Sequence, residues 1–345
     1  MALGERRCRI LAAVVHDYVE TAEPVGSETL ANRHDFGVKP ATIRNELAAM
    51  SEMGYLRQPH TSAGRVPSDL GYRYYVDALM PQPELEPLES DRARQSYDPY
   101  DTEIDIILQH TCRILAGLTQ YTSLATPPQM EIVSIKQIAL LSVGSGKLLL
   151  VTVLNTGHID NRVLDYNLDI NVVDIIALGN LLNERFNGID LSRFSEKADP
   201  DVPVDLAKLG WLYKRVTGIL RQVLAAVAND QVYVDGTANM LKQPEFSHGV
   251  KANAILELLE HRRKLYEVLN STQRQVGVTV MIGAENGVEA MQECSIVASN
   301  YRVGSRICGS IGVMGPTRMD YFRAVASVRA IASNLSELLT TLSIE

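Results

Sequence analysis

Apolar residues recur along this chain with two different periods, and each change of period marks a change of element. Between residues 5 and 19, Leu11, Val14, Val15, Tyr18 and Val19 fall on one helical face, which Pro24 and Gly26 bring to an end. Ser27 is a suitable N-cap for a second short helix, SETLANRH. Pro40 suits the first turn of a third helix, where its missing N–H has no partner to lose. In that helix Ile43, Leu47 and Met50 recur at i, i+4 and i+7, which leaves Ala41, Thr42, Arg44, Asn45 and Ala48 on the opposite face. Gly54 stands where the helix should stop. Tyr55-Leu56-Arg57 and Arg65-Val66 then bracket the turn formers of HTSAG, so a hairpin with arginine at its base is expected.

Three helices and a hairpin in that order predict a winged helix-turn-helix over residues 1–80, with its third helix in the major groove of DNA. The outward face of that helix agrees. Small residues let the backbone approach closely, and Arg and Asn pair bidentately with guanine and adenine edges. At the hairpin, His60, Thr61, Ser62 and Arg65 suit phosphate or minor-groove contact, although a merely solvated turn would carry the same residues.

Farther along, the Pro- and acid-rich stretch 81–101 reads as a linker. A helical pattern resumes over 102–120, and β-rich runs fill 131–166, separated by the turn-like SVGSGK and NTGH. A helix follows in VVDIIALGNLLNERF. The β pattern returns over 276–315 with Gly-rich turns, before a terminal helix bearing Phe322, Val325, Val328, Leu335 and Leu338. Strands split in this way predict one α+β domain, 102–190 and 272–345, interrupted by an insertion at 191–271. The inserted helices, near 205–228 and 253–269, have apolar faces wide enough either for an internal core or for a second chain.

Composition narrows the function classes. The chain has 345 residues, of which 46% are hydrophobic and 21% charged, as in an ordinary globular protein. A net charge of −8 repels nucleic acid at long range, so any DNA affinity must come from local cations. No apolar signal or run of 18 apolar residues occurs, and a cytoplasmic protein without membrane contact is expected. Cys8, Cys112, Cys294 and Cys308 are scattered without CxxC spacing and read as small buried hydrophobes. The seven histidines form no HxxxH or HxH pair, so no metal site is expected. SVGSGK lacks the Walker spacing, GAENG (283–287) reads as a turn with an exposed Glu, and GPTRMDY as a turn in which Arg318 pairs with Asp320. No nucleophile or acid–base pair stands out, so neither an enzyme nor a cofactor is expected.

Long blocks of the chain resemble one family. EPVGSETL (23–30), PATIRNELAAM (40–50), GYLRQPHTSAGRVPSDLGYRYYVD (54–77), VYVDGTANMLKQPEF (232–246) and GSIGVMGPTRMDY (309–321) look like the signature of the heat-inducible transcription repressor HrcA. The resemblance implies an α+β multidomain protein in which a GAF-like domain is interrupted by an inserted α/β dimerisation domain. It implies a homodimer that binds an inverted-repeat operator in double-stranded DNA upstream of heat-shock chaperone genes and depends on the chaperonin. It also favours contact with DNA at His60, Thr61, Ser62 and Arg65. Family members often carry Ser where this chain has Lys39, so a side-chain cap is lost there and Lys39 offers a phosphate contact instead. Because GAF-like domains often hold small molecules, the alternative is a metabolite-responsive winged-helix regulator.

Overall fold

The amphipathic stripes of the first fifty residues become three packed helices. The computed structural model describes residues 3–60, 63–83, 103–128, 133–144, 146–166, 170–197, 208–228, 232–247, 249–273 and 277–344. Helix α1 spans Glu5–Thr21, α2 Ser27–Arg33 and α3 Pro40–Glu52. Leu11, Val14, Leu30, Ile43, Leu47 and Met50 are buried in their common core. Helix α2 starts at Ser27 itself with Gly26 as N-cap, so the expected serine cap does not form. Strands β1 (Leu56–Arg57) and β2 (Val66–Pro67) make an antiparallel hairpin, with Leu56 opposite Pro67 and Arg57 opposite Val66. Helix α4 (Asp69–Tyr74), capped by the Ser68 hydroxyl accepting from the Gly71 N–H, runs into a π-helical turn at Tyr75–Leu79. The expected linker lies mostly outside the described residues.

Helix α5 (Ile104–Thr119) leads into β3 (Thr122–Ala125). The chain next makes β4 (Ile135–Ser142), β5 (Lys147–Leu154) and β6 (Ile159–Asp165), followed by α6 (Val172–Phe186), α7 (Leu191–Lys197) and α8 (Gly210–Ala228). It returns beside β3 with β7 (Tyr233–Asp235), followed by α9 (Thr237–Leu241), α10 (Val250–Glu260) and α11 (Arg262–Thr272). Strands β8 (Val278–Ile282), β9 (Cys294–Val303) and β10 (Arg306–Pro316) precede the terminal helix α12 (Tyr321–Ile344).

The strands do not group as their sequence positions implied. One antiparallel sheet has the order β7-β3-β10-β9-β8, while β4, β5 and β6 pair only with one another in a second sheet. The runs at 131–166 and 276–315, expected in one domain, therefore sit in different sheets. The excursion between the neighbours β3 and β7 occupies 126–232, where an insertion at 191–271 was expected. Periodicity identifies a strand but not its partner, and that is why the two runs were joined.

Alternation across the five-stranded sheet divides its side chains between two cores. Ala125, Val297, Ile311 and Val313 pack with α5 and α12, and also with the core of the three N-terminal helices. Leu124, Ile296, Ala298 and Met314 point the other way, onto Ile255, Leu258, Leu265 and Leu269 of α10 and α11. The helical region at 253–269 is thus a broken pair, interrupted at His261, and its apolar residues complete an internal layer. Helix α8 likewise turns Leu212, Val216, Leu220 and Leu224 onto β4–β6 and α6 in a core of their own. Most of the described apolar residues of these helices are thus internal, while Trp211 and Leu256 remain exposed.

Cys112, Cys294 and Cys308 are buried and Cys8 partly so, and all are free thiols. Burial pushes the thiols of Cys112 and Cys294 up to about 12, which makes them inert at neutral pH. Among the described residues no helix is long and apolar enough to cross a membrane.

Candidate nucleic-acid interface

Helix α3 owes its orientation to the residues it buries. With Ile43, Leu47 and Met50 facing inward, Ala41, Arg44, Asn45 and Ala48 are exposed and Thr42 is half-buried. The flank is tied as well. Glu46 accepts from Arg7 Nε of α1 at 2.7 Å, with Arg6 at 3.7 Å. Arg44 and Asn45 make no side-chain hydrogen bond within the chain among the described residues, so their donors and acceptors are available to a ligand. Lys39 is the N-cap of α3, its side chain makes no cap bond, and Pro40 follows at the first helical position, as expected.

The hairpin lies against both helix and loop. Arg65 exchanges backbone hydrogen bonds with Val25 at 2.8 and 2.9 Å, linking β2 to the chain ahead of α2. Its side chain is half-buried, and Nε donates to Ser51 Oγ at 2.9 Å in the last turn of α3. Sequence reading treated Arg65 as a contact residue; the structure also makes it a brace between hairpin and helix. At the tip His60 is exposed and its carbonyl accepts from Ala63 N–H at 2.9 Å. Thr61 and Ser62 lie outside the described residues. Arg57, set at the hairpin base but given no role from sequence, is exposed on β1. Lys39, Arg44 and Arg57 are thus exposed cations on α3, its N-cap and the hairpin.

One other cluster of polar groups lies in the same unit. His16, Asp17 and Glu20 of α1 present donor atoms within 4.8 Å of one another. Asp17 is buried, and its Oδ1 lies 2.9 Å from His34 Nε2 and 3.2 Å from Arg33 Nη1. Arg33 Nη2 reaches Glu20 at 3.1 Å, so one guanidinium bridges both carboxylates and supplies the counter-charge that burial of Asp17 demands. The cluster is an ion-pair network that locks α2 onto α1. Helical spacing brought His16 near Glu20, but the arrival of His34 and Arg33 from the next helix had no signal in the sequence.

Comparison with known proteins places this arrangement. The family described as HrcA protein C terminal domain matches residues 105–325, well over half the chain. The chain belongs to the HrcA family. A heat-inducible transcription repressor HrcA of Moorella thermoacetica is 40% identical over 343 residues, 99% of each chain. Its counterpart in Symbiobacterium thermophilum is 38% identical over 336 residues, 97% of this chain and 98% of that one. A crystal structure of a hypothetical protein at 2.2 Å resolution shares the fold, with a TM-score of 0.67 and 21% identity, over 99% of this chain and 100% of that chain. The HrcA C-terminal match covers both sheets and stops short of α1–α4, while the full-length relatives extend across the N-terminal helices and hairpin as well.

In this HrcA chain the Arg65–Ser51 bond makes a stability prediction. Arg65→Ala should lower the urea midpoint of the N-terminal unit by the equivalent of about 1 kcal/mol. Hydrogen exchange of the α1–α3 amides across the urea transition reads it, and an unchanged midpoint would show that Arg65 braces nothing.

Proposed function

We propose that this heat-inducible repressor acts on DNA through α3 and the hairpin, a recognition helix and wing. The supporting observation is that Arg44 and Asn45 are exposed on a helix whose other face is fully buried, with no internal partner to compete. Inserted in the major groove, that helix directs Arg44 and Asn45 to base edges, while Ala41, Thr42 and Ala48 permit close approach. Lys39 and the wing residues His60, Thr61, Ser62 and Arg65 hold the phosphates, with Arg57 beside them. In the same reading the five-stranded sheet with α5 and α12 is the GAF-like domain, and the protein works in the cytoplasm on inverted repeats upstream of heat-shock chaperone genes.

An inverted repeat calls for a two-fold dimer. We place the dimer contact on the insertion, at the face of β4–β6 turned away from α6. Leu141, Leu149 and Val163 form one cross-strand row there, and Val153 and Ile159 lie opposite each other in another. Leu141, Ile159 and Val163 are more than half exposed, an apolar surface of the kind a second copy covers. Dependence on chaperonin follows from connectivity. Strand β3 pairs with β10 near the other end of the chain, so the sheet closes late and unfinished chains expose its two apolar faces. Chaperonin returns such chains to the folding pool, and heat, by filling it with other clients, lowers the supply of active repressor.

Arg44→Ala and Asn45→Ala should each weaken operator binding by about 1–3 kcal/mol while leaving binding to random DNA nearly unchanged, because base contacts specify and phosphate contacts do not. Competition titrations read the difference, and equal losses on both duplexes would assign these residues to phosphates or to the fold. For the dimer, Leu141→Lys with Val163→Lys should sediment as a folded monomer at micromolar concentration; a surviving dimer would move the interface elsewhere. Adding chaperonin and ATP should raise the fraction of operator-competent protein at constant dissociation constant. A changed constant with an unchanged fraction would instead indicate a stable complex with altered affinity.

A further inference from the structure

The turn at 283–286, read from sequence as a solvated loop with one exposed glutamate, is gripped by the N-terminal unit. Arg73 of α4 donates through Nε to Glu285 Oε1 at 3.0 Å and through Nη2 to Glu285 Oε2, a bidentate pair. The same Nη2 donates to Val280 O at 2.6 Å, and Nη1 to Asp77 at 3.1 Å, so the guanidinium is held on every side. Glu285 Oε2 also accepts from the Ile282 N–H at 2.9 Å, which fixes the carboxylate to the end of β8. Partial burial alone would raise the Glu285 pKa, but Arg73 and that N–H hold it below the ordinary value.

Four residues before Arg73, Asp69 Oδ2 accepts from the Ala284 N–H at 3.3 Å. The approach is close enough that a Cβ on Gly283 would stand 2.2 Å from that oxygen, and Gly283 has φ +53. Glycine is therefore required at the turn for two separate reasons. A second strut joins the unit at α1. Arg318 pairs with Glu245 at 2.5 Å, where sequence had paired it with Asp320, and its Nη1 donates to Val19 O of α1 at 3.0 Å. Between the struts the buried rings of Tyr72 and Tyr321 meet at 5.6 Å between centroids.

We propose that the Arg73–Glu285 clamp is a positioning device that sets the distance and phase between the two recognition helices of the dimer, and so selects the half-site spacing of the operator. Neither residue lies on α3 or the hairpin tip, so the clamp leaves base contacts untouched and acts on where α3 points. Adding one base pair between half-sites moves them about 3.4 Å apart and rotates one against the other by roughly a tenth of a turn. A unit fixed by a bidentate pair, a carboxylate–amide bond and a buried ring contact cannot follow that displacement without breaking them. A unit that keeps its apolar contact, the Asp69–Ala284 bond and the Arg318 strut but lacks the bidentate pair yields to it more readily. This inference rests on the reading of the chain as a dimeric DNA-binding repressor.

The test uses the full chain and duplexes built on the inverted repeat that it protects most strongly in its own upstream regions, with the spacer lengthened or shortened one base pair at a time. Wild type should lose about tenfold or more in affinity per base pair from the optimum, equivalent to about 1.4 kcal/mol. Glu285→Ala and Arg73→Ala should flatten the profile to under about threefold per base pair, while affinity for an isolated half-site stays at the wild-type value. Arg73→Lys, which keeps a cation beside Glu285 but loses the fork, should give a profile between the two. Retention of the wild-type profile in both alanine variants overturns the clamp, as does a loss of half-site binding in both of them. Failure of wild type to bind any inverted repeat would instead overturn the DNA-binding reading beneath it, before any variant is compared.

Discussion

Burial of Ile43, Leu47 and Met50 is the constraint on which the rest of this protein depends. Each such side chain contributes about 1.5–3 kcal/mol on leaving water, far more than a hydrogen bond at the surface of α3 could oppose. Rotation of the helix is therefore decided from the inside, and Arg44 and Asn45 face outward as a consequence. Polar anchors then refine what burial has set. Glu46 is held by Arg7, and Arg65 fastens the hairpin to the end of the same helix. A net acidic chain can thus present local exposed cations, and its attraction to DNA is short-ranged and salt-sensitive.

The same apolar logic joins the N-terminal helical unit to the remainder of the chain. Its core is continuous with that beneath α5, α12 and one face of the five-stranded sheet, so α1–α4 form a docked unit and not a tethered one. Across that continuous core the arginines supply direction. Arg73 and Arg318 reach from opposite sides, each meeting a carboxylate and a backbone carbonyl. Guanidinium suits this task because its donors diverge in a fixed plane, which a lysine ammonium cannot reproduce. The inserted sheet stands apart, with a separate core, and leaves one apolar face uncovered.

What was legible in the sequence was local. The stripe on α3, the Pro40 start, the hairpin around HTSAG and the helix at 172–186 all follow from spacing and turn chemistry, and all stand in the structure. Misreadings came where a residue's partner is distant. Strands 135–165 and those at 278–316 both read as β-rich runs between turns, and that reading does not say which strand pairs with which. Wide apolar faces on α8 and α10–α11 looked like surface for a second chain because the sheets that cover them come from other parts of the sequence. Arg318 was paired with its neighbour Asp320, whereas its carboxylate is Glu245. Each miss is a tertiary contact that no window of residues contains.

In the proposed function, α3 reads base edges from the major groove. Guanine N7 methylation interference on the chain's strongest footprinted site tests it most directly, because that atom lies in the major groove alone. Methylation at one or two guanines in each half-site, related by the two-fold axis, should abolish binding. Interference confined to adenine N3 in the minor groove, or absent from both half-sites, would contradict it.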